Sequence, residues 1–276
     1  MKIVIAYDGS APSDTALEEL TRAGIPGDAD VHVVAVAEPW PMPVPVDGGT
    51  LYPDRPLHTV DDARAHAAAA AGRLHETFPG WRIESIGVPG SPTKELLGHA
   101  ESWGADLVVV GSHSRSTVPA RLGSISQQVV TSAHCSVRIA RSTGQRRDDP
   151  VRLVLATDIS ADAETALLAI LHRAWPAHSK VWIVTSVPET EPEERARVEE
   201  AHAGMTSRLR DAGLSSASAI EALDPKLAIL ALAQDVDADC IFIGARGRTP
   251  YQRALLGSIS ASVASRARCS VEVARR

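Results

Sequence analysis

The chain has 276 residues, of which 44% are hydrophobic and 22% are charged, and its formal net charge is -6. This composition is typical of globular domains with packed cores, and the length favours two domains. The negative charge provides no general attraction for nucleic acid or anionic lipid, so we expect neither nucleic acid nor a membrane as a partner.

The sequence also indicates a reducing, intracellular setting. No apolar run approaches the roughly 18 residues that a membrane helix needs, and the first residues, MKIVIAYDGS, do not have the pattern of a secretion signal. Three scattered cysteines without a CxxC pair predict neither a disulfide framework nor a zinc site. We therefore expect a cytoplasmic protein.

Three segments of the first half recur in the same order in the second half. They are KIVIAYDGS (2–10) with RLVLATDIS (152–160), DLVVVG (106–111) with DCIFIG (239–244), and LGSISQQVVTSAHCSVRIAR (122–141) with LGSISASVASRARCSVEVAR (256–275). A repeat that spans both ends of each half indicates two copies of one structural unit. We predict one domain at 1–146 and a second at 150–276.

Each copy alternates short Val- and Ile-rich runs with longer segments of helical period, which predicts βαβ units. In chain order, the strands predicted for the first half are 2–7, 31–37, 82–88, 107–111 and 135–140, with helices between them. Those predicted for the second half are 152–157, 180–187, 216–221, 240–244 and 269–274. The predicted fold class is α/β, with two tandem five-stranded, mostly parallel sheets, flanking helices and a Rossmann-like arrangement.

The copies differ in length mainly after the second strand. Residues 39–58 of the first half contain six prolines, which exclude a regular helix there. We interpret this segment as a surface excursion, with a lid over a ligand site as the alternative.

A glycine-rich segment follows the fourth predicted strand of the second half. Its candidate site residues are Gly244, Arg246, Gly247, Gly257 and Ser258. They stand at the carboxyl end of a parallel strand, where open α/β folds bind ligands. Glycines let a backbone approach a ligand and adopt positive φ, and the first amides of the following helix can donate to an anion. The segment therefore predicts phosphate binding, unless its glycines only shape turns.

This spacing resembles that of the universal stress protein family, whose nucleotide-binding members carry Gly, two residues, Gly, nine residues, then Gly and Ser or Thr. The resemblance covers essentially the whole chain as two tandem family domains. It implies that Asp158 lines an adenine and ribose pocket, and that the glycine loop with Ser258 holds ribose and phosphates. The implied ligand is ATP or another adenine nucleotide, with or without Mg²⁺.

The first half keeps most of this pattern. Its candidate nucleotide-binding residues are Asp8, Val36, Gly111, Gly123 and Ser124. Ser114 replaces the second glycine, which costs about 1 kcal/mol if φ must be positive there. The loop from Ser114 to Gly123 is also one residue shorter and contains Pro119. Whether this half binds nucleotide is left open.

The resemblance implies a stress-response protein that binds ATP and acts as a nucleotide-dependent regulatory module. Family domains commonly pair through their last strands, which implies pairing of the two halves around 135–141 and 269–275. Nothing in the sequence decides whether the chain also forms a homodimer.

The sequence identifies no catalytic residue for this function. It has no Walker lysine and no paired carboxylates placed for hydrolysis, so any ATPase activity should be slow. Two alternatives remain: a nucleotide hydrolase or transferase that uses Asp158, Asp8 or His113, and a scaffold that binds no nucleotide.

Overall fold

The computed structural model describes residues 1–38, 45–46, 49–50, 59–112, 122–142, 144, 149–247 and 256–275. Most of the Pro-rich segment 39–58 lies outside these residues, as do His113, Ser114, Pro119 and Arg248. The interpretations of that segment and of these four side chains therefore stay predictions.

The described residues form strands and short helices in the predicted order. The strands are β1 (Lys2–Ala6), β2 (Asp30–Ala37), β3 (Pro45–Val46), β4 (Gly49–Thr50), β5 (Arg82–Pro89), β6 (Leu107–Gly111), β7 (Ser136–Ala140), β8 (Arg152–Ala156), β9 (Lys180–Ser186), β10 (Ser215–Glu221), β11 (Cys240–Gly244) and β12 (Ser270–Ala274). The helices are α1 (Ala11–Glu19), α2 (Val60–Thr77), α3 (Pro92–Trp103), α4 (Ser124–Ser132), α5 (Ala161–Leu171), α6 (Pro192–Asp211), α7 (Pro225–Asp235) and α8 (Ser258–Arg266). All ten strands predicted from the sequence are present, and each end lies within one residue of its prediction.

Local sequence signals explain how the first helix of each half begins. The Ser10 side chain accepts a hydrogen bond from the Ser13 amide, and the Ser160 side chain accepts one from the Ala163 amide. Serine is a favoured N-cap because its hydroxyl satisfies an amide that has no partner within the helix. The first helix of each half therefore starts directly after the turn that ends its first strand.

The main sheet has ten strands in the order β10-β9-β8-β11-β12-β7-β6-β1-β2-β5. Neighbouring strands are parallel within each half, and β12 and β7 pair antiparallel where the halves meet. The α/β class is confirmed, and the two predicted five-stranded sheets form one continuous sheet. The strand order reverses between β1 and β6 and between β8 and β11, which are the switch points where such sheets bind ligands.

Buried charges join the halves on one face of this junction. Arg138 on β7 lies directly opposite Glu272 on β12, with 3.0 Å between Nη1 and Oε2. Arg138 also bonds Glu19, and Arg173 bonds Glu272. All four side chains are at most 8% exposed. Removing one partner would leave a buried charge uncompensated, which is strongly destabilising.

The helices cover both faces of the sheet. A continuous hydrophobic core lies between the sheet and α3, α4, α7 and α8 and contains residues of both halves. On the opposite face, α1 and α2 cover a core of the first half, and α5 and α6 cover a separate core of the second half. None of the helices in the described part of the chain combines the length and hydrophobicity needed to cross a membrane.

Candidate functional site

A cavity of about 660 Å³ opens at the carboxyl ends of β8 and β11, at the switch point of the second half. The six candidate residues of that half all line it: Asp158, Gly244, Arg246, Gly247, Gly257 and Ser258. Its volume lies within the range of about 300–1,000 Å³ that is usual for small-molecule sites. The structure therefore brings these residues together around a space large enough for a small organic ligand.

The cavity wall has an apolar part and a polar part. The apolar part is formed by Val184, Pro225, Ala228, Ile229, Ile243, Leu256 and Ile259. The polar residues of the lining are Thr157, Thr185, Ser186, Ser258 and Ser260. A flat ring can pack against the first part while a hydrogen-bonding group meets the second.

The N-terminus of α8 faces this cavity. Its N-cap, Gly257, has no side chain to cap the first amides, and the following residues Ser258, Ile259 and Ser260 also line the cavity. The Gly257 amide donates to the Ala245 carbonyl at 2.7 Å, which fixes the start of the helix. Uncapped amides and the positive end of the helix dipole together favour an anion at this position.

The glycines of the second half provide space rather than an unusual backbone conformation. A Cβ on Gly244 would lie 2.6 Å from the Asp162 carbonyl carbon, and a Cβ on Gly247 would lie 2.6 Å from Asp158 Oδ2. Gly257 has φ −73°, and neither Gly244 nor Gly247 lies in the left-handed region. These three glycines therefore do not use positive φ, and close packing against the backbone of Asp162 explains Gly244.

The turn that carries Asp158 is strained. Ile159, the next residue, has φ +55°, a conformation that is unfavourable for a β-branched side chain. Two short bonds hold the turn: the Ile159 amide donates to Thr157 Oγ1 at 3.0 Å, and the Ser160 amide donates to Asp158 Oδ1 at 3.1 Å. The Asp158 carboxylate is thereby oriented, and its Oδ2 lies against the Gly247 backbone.

Arg246 lines the cavity, but its charge is paired. Its Nε lies 3.2 Å from Asp162 Oδ2, and its amide donates to the same oxygen at 3.1 Å. The Arg246 side chain is 58% exposed, so this ion pair is weak and an anionic ligand can compete for it.

Among the described residues of the first half, a cavity of about 80 Å³ lies at the corresponding position. Asp8, Val36 and Gly111 line it, together with Ile125 and Ser126 of α4. Among the described residues, Gly123 and Ser124 are not part of its lining. The structure thus brings three of the five first-half candidates together and leaves the start of α4 outside the cavity.

Asp8 and Gly111 have local roles in this smaller site. Asp8 Oδ1 accepts hydrogen bonds from both the Ser10 amide and the Ser10 hydroxyl. A Cβ on Gly111 would lie 2.3 Å from the Pro12 carbonyl oxygen, so this glycine allows α1 to pack against the end of β6.

Sequence reasoning missed four polar residues near the second-half cavity. The Ser260 hydroxyl donates to the Gly244 carbonyl at 2.7 Å, and Ser126 makes the same bond to Gly111 in the first half. The repeated LGSIS segments contained this signal. The other three, Thr157, Thr185 and His202, form a chain of hydrogen bonds that, among the described residues, occurs in the second half alone.

Two further observations bear on the chemistry of the site. Within the described ranges, no group of three or more His, Cys, Asp or Glu side chains is placed to hold a metal ion. Burial lowers the pKa of His202 below its ordinary value, so this imidazole is neutral at pH 7. The uncapped start of α8 and the apolar lining together can accommodate an anion joined to an apolar ring.

Comparisons with known proteins agree with the repeat and the fold. The model of the universal stress protein family matches residues 1–141 and again residues 150–275. Universal stress protein YxiE of Bacillus subtilis is 29% identical over 147 residues, which are 51% of this chain and 98% of that protein. Universal stress protein Rv2005c of Mycobacterium tuberculosis is 27% identical over 296 residues, covering 99% of this chain and 97% of the relative.

A solved structure shares the whole architecture. The universal stress protein of Archaeoglobus fulgidus matches 100% of this chain and 98% of its own with a TM-score of 0.71, at 23% sequence identity. This likeness concerns the fold alone, whereas the family model matches nearly every residue of both halves. The chain therefore belongs to the universal stress protein family.

Proposed function

We propose that the second half binds an adenine nucleotide, with ATP as the leading candidate, and that the chain is a cytoplasmic stress-response module governed by nucleotide occupancy. The observation that carries this proposal is the uncapped N-terminus of α8 at the 660 Å³ cavity. In this proposal, residues 1–146 and 150–276 are two domains of the family, and only the second binds nucleotide.

The phosphates would lie at the start of α8. The amides that follow Gly257, together with the Ser258 hydroxyl, supply donors for phosphate oxygens. Arg246 would leave Asp162 to pair with a phosphate group, since its present ion pair is exposed.

The nucleoside would lie between the apolar wall and the turn at Asp158. Ile229, Ile243 and Val184 offer apolar contacts for a purine ring, and the Asp158 carboxylate accepts hydrogen bonds from ribose hydroxyls. If Mg²⁺ accompanies the phosphates, the Ser258 hydroxyl is an oxygen ligand at the right end of the cavity. Magnesium would neutralise phosphate charge there.

We propose binding rather than rapid turnover. The acidic side chain that lines the cavity, Asp158, is held by the Ser160 amide, and in this proposal it meets the ribose rather than the phosphates. A positioned base next to the phosphates would be needed for fast hydrolysis. ATP hydrolysis should therefore remain slow, which a phosphate-release assay on the purified protein can measure.

Isothermal titration of the purified chain with ATP tests the proposal. We expect saturable binding and a rise in the melting temperature, because a ligand that binds only the folded state stabilises it. The same titration with inorganic triphosphate and with adenosine separates the contributions of the two ends of the cavity. Absence of both heat and thermal shift, in protein shown to be free of bound nucleotide, would reject the proposal in favour of a scaffold.

A further inference from the structure

A buried chain of hydrogen bonds runs behind the cavity wall of the second half. The Thr185 hydroxyl on β9 donates to the Thr157 carbonyl at 2.8 Å, and the same hydroxyl oxygen lies 2.8 Å from Nε2 of His202 on α6. Thr157, Thr185 and His202 are only 7%, 5% and 3% exposed, respectively. Thr157 and Thr185 line the cavity, while His202 stands behind them.

The direction of each bond follows from the number of hydrogens available. A threonine hydroxyl has a single hydrogen, and a carbonyl oxygen can only accept, so the Thr185 hydrogen points to Thr157. The second bond must then be donated by His202 Nε2–H. The neutral imidazole therefore carries its proton on Nε2, and its Nδ1 is an acceptor.

That Nδ1 atom is buried and has no hydrogen-bond partner within the part of the chain that the structure describes. A buried polar atom without a partner costs free energy, as does burial of the imidazole itself. An apolar residue would fit the other members of this stripe of α6, which are Val198, Met205 and Leu209. His202 therefore occupies a core position. Of its two ring nitrogens, Nε2 is satisfied by its bond to Thr185, and Nδ1 is not.

The far end of the chain is the strained turn at Asp158. Thr157 is fixed by its amide, which donates to the Val184 carbonyl at 3.0 Å, and by its carbonyl, which receives the Thr185 bond. Thr157 Oγ1 in turn accepts from the amide of Ile159, the residue with φ +55°. Since Asp158 lies between these two residues, the orientation of Thr157 determines where the Asp158 carboxylate stands.

In the part of the first half that the structure describes, the equivalent positions form neither this hydrogen-bonded chain nor a strained turn. Ala35 and Ala67 occupy the positions of Thr185 and His202, as the strand registers and the buried stripes of α2 and α6 show. Gly9, with φ +74°, takes the place of Ile159 and adopts that conformation without a steric penalty. The hydrogen-bonded chain is therefore found only in the half with the large cavity and the strained turn.

We propose that His202 is a positioning residue for nucleotide binding: through Thr185 it holds Thr157, and thereby sets the Asp158 carboxylate at the nucleoside end of the cavity. This inference rests on the proposed function of the second half. It goes beyond that function by assigning a role to a side chain that does not touch the ligand.

The pKa of His202 depends on its burial and on the polar and charged groups of the elements packed around it. Burial is the cause of its lowered pKa, and Thr185 is the polar group that β9 presents to it. Between α6 and α5, Arg208 and Glu164 pair with each other. On the side of β10, Arg195 contacts the Ile220 carbonyl and Glu199.

The test compares ATP affinities of matched variants by titration calorimetry, with melting temperatures as a check of folding. His202→Met keeps an unbranched side chain of similar volume but removes the donor, whereas His202→Gln places an amide N–H near the position of Nε2. We expect His202→Met to weaken ATP binding by about fivefold to tenfold, the effect of one lost hydrogen bond, and His202→Gln to remain within about twofold of the wild type. Rescue by Gln is the readout that a purely structural role would not produce.

Thr185→Val removes the central hydroxyl from a strand position that suits valine, so it keeps the test decisive even if His202→Met does not fold. It should weaken ATP binding as much as His202→Met, and the double variant should be no weaker, because all three changes break the same chain. Wild-type affinity in folded Thr185→Val would overturn the inference while leaving the proposed function intact. A wild type that binds no ATP would overturn both.

Discussion

The two halves share a scaffold but differ in their cavities. Both have the same strand order, and their last strands pair with each other at the centre of the sheet. Both also have a glycine at the end of β6 or β11 and a glycine N-cap on α4 or α8. Yet the cavities that the described residues form differ, with about 660 Å³ in the second half and about 80 Å³ in the first. The two halves thus share these glycines and the fold, whereas the residues that line their cavities differ.

The contacts that hold the end of the first strand differ between the two halves. In the first half, the Tyr7 hydroxyl donates to Asp14 at 2.7 Å, and Asp14 also pairs with Arg73 of α2. The equivalent position in the second half is Thr157, whose carbonyl is held by Thr185. One half thus connects the end of its first strand to α1 and α2, whereas the other connects it to β9 and α6.

The largest expected difference between the halves comes from Gly257→Asp and its matched control, Gly123→Asp. Aspartate is a good N-cap, so each variant should fold and its helix should be as stable as before. At Gly257 the new carboxylate would occupy the amides and repel phosphate, and we expect ATP affinity to fall by about 100-fold or more. Titration calorimetry checks this, and the control should bind ATP as the wild type does. Equal losses in both variants would break the proposed asymmetry.

The next effect concerns stability and should be the same in both halves. Gly244→Ala and Gly111→Ala each place a Cβ within 2.8 Å of backbone atoms of α5 or α1. Such overpacking should lower the free energy of unfolding by about 1–3 kcal/mol. Gly204→Ala is the control, since nothing lies within 4 Å of the added Cβ on this exposed part of α6. It should stabilise the protein by about 0.5–1 kcal/mol. Chemical denaturation measures all three, and a stable Gly244→Ala would show that packing does not explain the glycine.

A smaller effect is expected for Arg246→Ala. Its guanidinium must leave Asp162 before it can contact a phosphate, so its net contribution should be only about twofold to fivefold in ATP affinity. The loss should shrink as salt concentration rises, because the site is exposed. Arg197→Ala, which removes an exposed ion pair with Glu194 on α6, is the control and should leave ATP affinity unchanged. A loss above 50-fold would show that Arg246 is a principal phosphate ligand.

The smallest effect is a pH dependence of stability. Because burial lowers the pKa of His202, the unfolded chain takes up a proton at higher pH than the folded chain does. Stability should therefore be complete above about pH 6.5, the ordinary pKa of histidine, and decline as the pH falls below it. Burial also lowers the pKa values of His32 and His99 in the first half, so His202→Gln should reduce this slope without abolishing it. Melting temperatures at pH 5 and pH 7 measure the slope, and an unchanged slope would contradict the prediction.

Much of the fold was predictable because its signals are local or repeated. Alternation of apolar runs with helical segments located every strand of the main sheet to within one residue, and the glycine spacing located the residues that line the large cavity. Ser126 and Ser260 were recoverable from the repeated LGSIS segments, because each lies two residues after a candidate serine.

The rest depends on contacts between residues that are distant in the sequence. Arg141 reaches the Ala264 carbonyl at the end of α8, and Arg275 reaches the Val130 carbonyl at the end of α4. No local pattern shows that each half holds the last helix of the other. His202 looks like one more polar residue of a charged helix until β9 places Thr185 against it.

The asymmetry proposed for the two halves is that the second binds nucleotide and the first does not. The number of ATP molecules bound per chain tests it, obtained by titrating protein that has been stripped of nucleotide by unfolding and refolding. We expect one site, retained in Gly123→Asp and lost in Gly257→Asp. Two equivalent sites, or a single site lost in Gly123→Asp instead, would contradict it.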